Sequence, residues 1–163
     1  MTSADRTVHE LVAQLDYPMF IVTVAAGGEL AGCLVGFATQ CSVDPPRFLV
    51  CISEKNRTFR VARRAKSAVV HLVPSDATGL AELFGSQTGD DVDKFERCEW
   101  TAGPDGTPIL DECRNWFAAR IIDRMPAGDH CAVLLDPFDA GSDTGEHPFT
   151  FHRARRFEPG HEA

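Results

Sequence analysis

The chain has 163 residues, 44% apolar and 25% charged, the proportions of an ordinary globular protein with one domain and a real core. A formal charge of −8 excludes general nucleic-acid binding, which rests on Lys/Arg contacts to phosphates, but leaves room for a local basic pocket. No apolar run approaches the roughly 18 residues of a membrane helix, and the start, MTSADRTVHELVAQ, lacks the apolar stretch of a secretory signal, so no membrane partner and a cytoplasmic location are expected.

In chain order, Ser3 or Asp5 is placed to cap a first helix, in which Val8, Leu11, Val12 and Leu15 share an apolar face. That helix ends before Tyr17-Pro18, because the residue before a proline is pushed to extended geometry. Met19 to Ala25 is a β-type run, Gly27-Gly28 is a turn, and Leu30 to Thr39 returns as the second strand of a hairpin. Pro45-Pro46 marks a corner, since proline donates no ladder hydrogen bond. Arg47 to Ser53 is a third strand, followed by a helix from about Arg57 to Ala65 with Asn56 as its cap.

Ala68 to Val73 is a fourth strand, and TGLAELFG a short helix. Cys98 to Thr101 reads as a short edge piece, Gly103 to Gly106 as a turn, and Pro108 to Leu110 and Asn115 to Asp123 as strands. A turn at Ala127-Gly128-Asp129 precedes a strand from His130 to Phe138. Phe149 to Phe157 is assigned a last strand, with fraying from Pro159 onward. About seven short strands spaced by Gly/Pro turns, with two or three short flanking helices, predict a mainly β fold, a closed antiparallel barrel in a single domain spanning 1–163.

The six cysteines, Cys33, Cys41, Cys51, Cys98, Cys113 and Cys131, include no C-x-x-C pair and read as small hydrophobes rather than disulfides or metal ligands. Phosphate-loop, dinucleotide, zinc-protease and nucleophile-elbow motifs are absent. His130 and Cys131 adjoin, but successive strand side chains point to opposite faces, so they do not form a nucleophile–base pair. The positive signal is Lys55-Asn56-Arg57-Thr58. A helix start with unpaired N–H groups, two cations and polar side chains suits a phosphate. The same segment also suits a capped surface helix with solvated basic residues, the better reading for Arg60 and Arg64.

The motifs Gly32-Cys33-Leu34-Val35-Gly36, Cys41-Ser42-Val43-Asp44-Pro45-Pro46 and Phe48-Leu49-Val50-Cys51-Ile52-Ser53, followed by Lys55 to Thr58, resemble the flavin reductase family of FMN-binding split-barrel proteins. Pro108-Ile109-Leu110-Asp111 and Gly128-Asp129-His130 continue the likeness, which covers about residues 15 to 138.

The resemblance implies a split β-barrel of Greek-key character, a homodimer with its flavin near the subunit boundary, and FMN (or FAD) used with NADH or NADPH. It implies that Leu34, Val35 and Gly36 run along the isoalloxazine through their backbone. Ser53, Lys55, Asn56, Arg57 and Thr58 would hold the ribityl phosphate, Phe84, Gly85, Thr88 and Gly89 would flank the cofactor, and His130 would lie where nicotinamide approaches. Many members carry hydroxyls where this chain has Leu34-Val35-Gly36-Phe37, so contacts there are expected from backbone alone. Gly36 either admits the ring closely or marks a bend. Trp100 and Trp116 are read first as core or dimer contacts rather than flavin-stacking groups.

The expected activity is an FMN-dependent NAD(P)H oxidoreductase that supplies reduced flavin to a monooxygenase or another acceptor. Two alternatives stand beside it: an FMN-binding module without turnover, and a relative using deazaflavin or haem.

Overall fold

Seven antiparallel strands make one sheet in the order β2-β1-β5-β8-β9-β4-β3. The computed structural model describes residues 1–160, so the last part of the end expected to fray lies outside the described residues. In chain order the elements are α1 (Ser3–Val12), β1 (Phe20–Ala26), β2 (Glu29–Val35), β3 (Ala38–Ser42), β4 (Arg47–Ser53), α2 (Arg57–Ala62), β5 (Ser67–Leu72), α3 (Thr78–Ser86), β6 (Trp100–Ala102), β7 (Pro108–Leu110), β8 (Trp116–Ala127), β9 (His130–Gly141) and α4 (Phe151–Ala154). Single 3-10 turns occupy Lys94–Glu96 and Pro104–Gly106, and β6 and β7 pair as a separate ribbon.

The expected closed barrel is corrected: β2 and β3 are the two edges of the sheet, and it is not closed. The single strand expected from Leu30 to Thr39 breaks at Gly36-Phe37, where pairing with β1 ends at Val35 and pairing with β4 begins at Ala38. At this corner Cys51 N–H bonds Phe37 O (2.8 Å) and Ala38 N–H bonds Gly36 O (3.1 Å). Two residues thus join the two edge strands, and the sheet must curl back on itself to let them meet. The corner faces a cause in packing: a Cβ on Gly36 would stand 2.9 Å from Tyr17 Cε2 and 3.2 Å from Met19 Sδ.

Two cores flank the sheet. Alternate residues of the strands, including Val22, Cys33, Val50, Ile52, Val70, Cys131, Val133 and Leu135, fill the concave side together with Val61 and Ala62 of α2. Met19, Ile21, Leu80, Phe84, Leu110 and Phe149 form the second core beneath α3 and the C-terminal segment. His71 on β5 joins three elements behind these cores. Its Nδ1 is 2.9 Å from Ile21 O, and its Nε2 accepts from Leu110 N–H at 3.0 Å. The acceptor role of Nε2 fixes the neutral tautomer with the proton on Nδ1. Complete burial lowers its pKa to about 4.

The expected last strand is also corrected. Phe149 keeps two main-chain bonds, from its N–H to Val73 O and from Met19 N–H to its own carbonyl, both 2.8 Å. The chain then turns into the short helix α4. Aromatic contacts hold this segment: Phe149 is fully buried, Phe157 stacks on it, and Phe151 stacks on Tyr17 at 4.7 Å. Arg153 lies over the Phe149 ring and donates to Ser75 O and Thr78 Oγ1.

Helix boundaries shift by a few residues. Thr2 caps α1 through a capping box with Asp5, in place of Ser3 or Asp5 itself. The helix stops at Val12 and buries no residue, so Val8, Leu11, Val12 and Leu15 stay between 42% and 58% exposed. Helix α2 ends at Ala62 rather than Ala65.

Candidate functional site

Edge strand β2 runs past two clefts. One, of about 200 Å³, is lined by Tyr17, Met19, Leu34, Gly36, Phe37, Cys51, Ser53, Asn56, His130 and Phe151 among others. The second, of about 450 Å³, lies between Gly28–Gly32, the start of α2 at Arg57 and Thr58, and the loop from Gly89 to Phe95. Lys94 Nζ donates to Gly32 O at 3.1 Å, so that carbonyl faces away from β1. Main-chain groups alternate sides along a strand, which puts those of Leu30 and Leu34 on the same unpaired edge. An edge of this kind offers donors and acceptors in a row without using any side chain.

The smaller cleft is apolar and aromatic. Tyr17 and Phe151 stack with their planes 10° apart on one side, and Phe37 and His130 stand 5.2 Å apart. Ser53 pairs directly with His130 across β4 and β9. The turn before β9 sets the imidazole: Nδ1 lies 2.7 Å from Asp129 Oδ1, and Glu54 N–H bonds Asp129 O at 3.1 Å. The His130 bond holds the Asp129 carboxyl below its ordinary range. A carboxylate on one ring nitrogen fixes the orientation of the other, the arrangement of an oriented acid, base or hydrogen-bond donor. Cys131 points the other way, into the concave core, as strand alternation requires.

The larger cleft is polar. Asn56 caps α2 by accepting Thr58 N–H at 2.9 Å, so one N–H of the helix start is already taken. Arg57 reaches Glu29 at 3.5 Å, Arg64 bonds Glu29 at 3.0 Å, and Arg60 pairs with Asp90. The basic face of α2 is therefore matched to acids, in line with the surface reading of Arg60 and Arg64. Thr58 is 1% exposed, and its buried hydroxyl has the thiol of Cys33 as its neighbour.

The residues singled out from the sequence divide between these clefts. Leu34, Val35, Gly36, Ser53, Asn56 and His130 line the apolar cleft, and Arg57, Thr58 and Gly89 the polar one. Lys55 is exposed and lines neither. Phe84 lies inside the second core, edge-on to Phe95, and is not a cleft wall. Gly85 packs on Leu34, whose Cδ2 would be 2.9 Å from an added Cβ. Thr88 accepts Asp90 N–H and shapes the loop. Gly89 leaves room for Arg57, since a Cβ would stand 3.0 Å from its Cδ. At Gly36 the missing side chain makes space for Tyr17 and Met19.

Sequence reasoning missed Tyr17, Phe37, Cys51 and Phe151 in the apolar cleft and Lys94 in the polar one. Phe37 carried a signal as an aromatic at the end of a β-run, whereas Lys94 lies in an acidic stretch that reads as a surface loop. Trp100 packs against the second core and donates from Nε1 to Phe95 O at 3.2 Å, a core role as expected.

The family described as flavin reductase like domain matches residues 12–161. A probable flavin reductase of Rhizobium meliloti is 27% identical over 142 residues, covering 85% of this chain and 44% of that protein. The stachydrine N-demethylase reductase subunit of the same organism is 27% identical over 85% of this chain and 60% of its own length. The chain thus spans about half the length of these curated relatives. An NADH:FAD oxidoreductase of Streptomyces globisporus shares the fold at a TM-score of 0.83 and 20% identity, over 93% of this chain and 90% of that one. An FMN-binding protein of Thermus thermophilus does so at 0.75 and 24% identity, over 80% and 74%.

Proposed function

This chain belongs to the flavin reductase like domain family, and from that premise we propose that it is an NAD(P)H-dependent flavin reductase working with FMN, or with FAD in its place. The observation that carries the proposal is the edge of β2 between an aromatic cleft and a polar one, which suits a molecule with a flat ring at one end and an anionic group at the other. When bound, the flavin supplies the redox chemistry, accepting a hydride from reduced nicotinamide at N5.

The protein's part is position and electrostatics. Leu34 and Gly36 present backbone groups to the ring, while Val35 between them pairs with β1. Ser53 and Asn56 stand with the ring in the apolar cleft, Arg57 and Thr58 surround the phosphate end, and Lys55 lies exposed outside both. Gly85, Thr88 and Gly89 set the loop beside it, with Phe84 supporting β2 from behind. The aromatic walls Tyr17, Phe37 and Phe151 exclude water and favour stacking of flat rings. His130, held by Asp129, orients the nicotinamide or donates to it.

The test is anaerobic mixing of FMN-loaded protein with NADH and with NADPH, read as bleaching of the flavin absorbance. Bleaching no faster than that of free FMN would sink the proposal. A second reading, an FMN-binding module without turnover, has one observation in its favour: no hydroxyl stands between Leu34 and Phe37. It predicts bound FMN and no bleaching.

The proposed protein is a cytoplasmic, single-domain homodimer that delivers reduced flavin to a monooxygenase. Relatives named as reductase components of monooxygenases, such as the 4-nitrophenol 4-monooxygenase reductase of Rhodococcus opacus, support that partner. The convex face of β3, β4, β9 and β8 supports the dimer. Leu49 pairs with Leu134 there, Cys51 with Ala132, and Ala132 with Met125, giving an apolar outer surface beside the aromatic cleft. Both Met125 (60%) and Phe37 (53%) are exposed in the single chain. Sizing in solution checks it, and a monomer that still binds FMN would refute the dimer.

A further inference from the structure

Helix α1 covers nothing of its own chain. It is ten residues long, it is closed at its start by the Thr2–Asp5 capping box, and it buries no residue. Val8, Leu11 and Val12, with Leu15 one turn on, form an uncharged stripe that stays 42% to 58% exposed. Arg6 and Glu10 lie on the opposite face, and Asp5 is engaged in the capping box. Among the described residues, the hydrogen bonds that tie this end to the rest of the chain all leave from beyond the helix. Ala13 O lies 3.3 Å from His152 Nε2 and accepts from Arg155 Nη1 at 3.1 Å. Asp16 Oδ1 accepts His152 N–H at 2.9 Å, and Phe151 N–H bonds Tyr17 O at 2.9 Å.

Helix α1 is thus an arm of about 15 Å, tied at one end beside the aromatic cleft that Tyr17 and Phe151 help to line. A helix this short is marginal in water, and in folded proteins such helices are held by packing of their apolar face. A capping box and a segregated apolar stripe, on a helix that its own chain leaves bare, call for a surface that takes the stripe. An arm fastened at one end and bare along its length has the geometry of an exchanged element.

We infer that α1 lies on a second copy of this chain, its apolar stripe against the convex face of β4, β8 and β9, and that each copy receives the other's arm in return. This rests on the homodimer reading above and names the element that makes it. Area favours this occupant. At half exposure, four such side chains leave roughly 200 Å² of apolar surface open, against about 800 Å² that each partner gives to a stable interface. The stripe alone is too small to hold a partner. Under two-fold symmetry each copy gives one arm and receives one, so the stripe counts twice and adds to the sheet face carrying Leu49, Leu134 and Met125. Charge agrees: the stripe carries no charged side chain, so two copies of net charge −8 meet along it without a like-charge pair. A stripe that every chain carries uncovered also needs a cover present in equal amount, which a second copy is.

The experiment measures the dimer dissociation constant of wild type, Leu11→Lys and Glu10→Gln by sedimentation over a range of concentrations, without flavin. Both substitutions make the chain less negative by the same amount, one within the stripe and one on the opposite face. Leu11 is exposed in the single chain, and lysine suits the last turn of a helix, so Leu11→Lys keeps its fold. It weakens the dimer about a hundredfold, because two-fold symmetry places the change in the interface twice. Glu10→Gln stays within about twofold of wild type. Amide hydrogen exchange of wild type is read alongside: residues 4–12 exchange slowly above the dissociation constant and fast well below it. A dimer that Leu11→Lys leaves as tight, or that Glu10→Gln weakens as much, overturns the inference and leaves the dimer reading standing. Slow exchange of α1 in the monomer also overturns it, since the stripe is then covered by its own chain. A wild type that stays monomeric at every concentration overturns the dimer reading and this inference together.

Discussion

The two clefts share one strand and differ in almost everything else. The apolar cleft is built from neighbours in the sheet: Gly36, Cys51, Ser53 and His130 come together through β2, β4 and β9 and the corner between β2 and β3. The polar cleft is built across the sheet's open edge, from a loop that crosses to β2 and is fastened there by Lys94. Strand pairing fixes the first, so Leu34 and Gly36, or Ser53 and His130, can be read from the strands, while its aromatic walls Tyr17 and Phe151 arrive from outside the sheet. A long-range bond from one side chain fixes the second, and its key residue is invisible to local pattern. Sheet edges thus do two jobs here: one face packs rings, and the unpaired main chain takes a loop and a charge.

The strongest challenge to this picture is to the frame behind both clefts. His71→Ala removes a donor to Ile21 O and an acceptor for Leu110 N–H and leaves a cavity, with an expected loss of roughly 3 kcal/mol of stability in urea unfolding. Both clefts should fail together in this variant; loss at one alone would mean that they do not share a frame. The same residue sets an acid limit. In the unfolded chain the imidazole takes its proton near 6.5, and in the fold only near 4. Between those values the unfolded state binds the extra proton, so stability falls as pH drops through that window and is unaffected by this group above it. Unfolding midpoints measured from pH 7 to 4 check this, and His71→Ala should flatten the slope.

Next in size, His130→Ala should slow flavin reduction by NADH by about a hundredfold while changing FMN affinity little. Asp129→Asn should give a smaller loss in the same direction, because it disturbs only the orientation of the ring. Stopped-flow bleaching separates these effects from binding, and parallel losses in affinity would move His130 to the binding set.

Gly36→Val tests the apolar cleft alone. The new Cβ meets the Tyr17 ring at 2.9 Å, so Tyr17 and its Phe151 partner must shift, at a cost of about 1–3 kcal/mol. Riboflavin and FMN should weaken equally, by roughly tenfold. Loss of FMN alone would show that the two clefts are not separate in function.

The smallest effect belongs to the rim. Arg57→Ala breaks a 3.5 Å contact between partly exposed side chains and should cost less than about 1 kcal/mol in stability. FMN should weaken a few-fold and riboflavin not at all.

Local chemistry already contained much of this. Asn56 as the cap of α2, the hairpin around Gly27-Gly28, the Asp44-Pro45-Pro46 corner and the opposed faces of His130 and Cys131 follow from turn, cap and strand-alternation rules, which act over a few residues. The barrel closure, the last strand and the single strand through Gly36 did not hold. Each depends on what lies opposite: no ladder forms between β2 and β3, Phe149 to Phe157 finds aromatic partners instead of a strand edge, and Tyr17 occupies the space over Gly36. Local propensity has no term for such contacts.

The sequence by itself therefore determined most of the strands, the turns, the cap at Asn56 and the family resemblance, because backbone preference and short-range side-chain bonds are written in neighbouring residues. The tertiary structure decided that the candidate site is two clefts rather than one, that Phe84 is core, and that Lys94 lines the same cleft as Thr58. The physical reason is burial. Whether a charge or a hydroxyl is solvated or enclosed depends on the elements that close over it, and in this chain those elements arrive from far along the sequence.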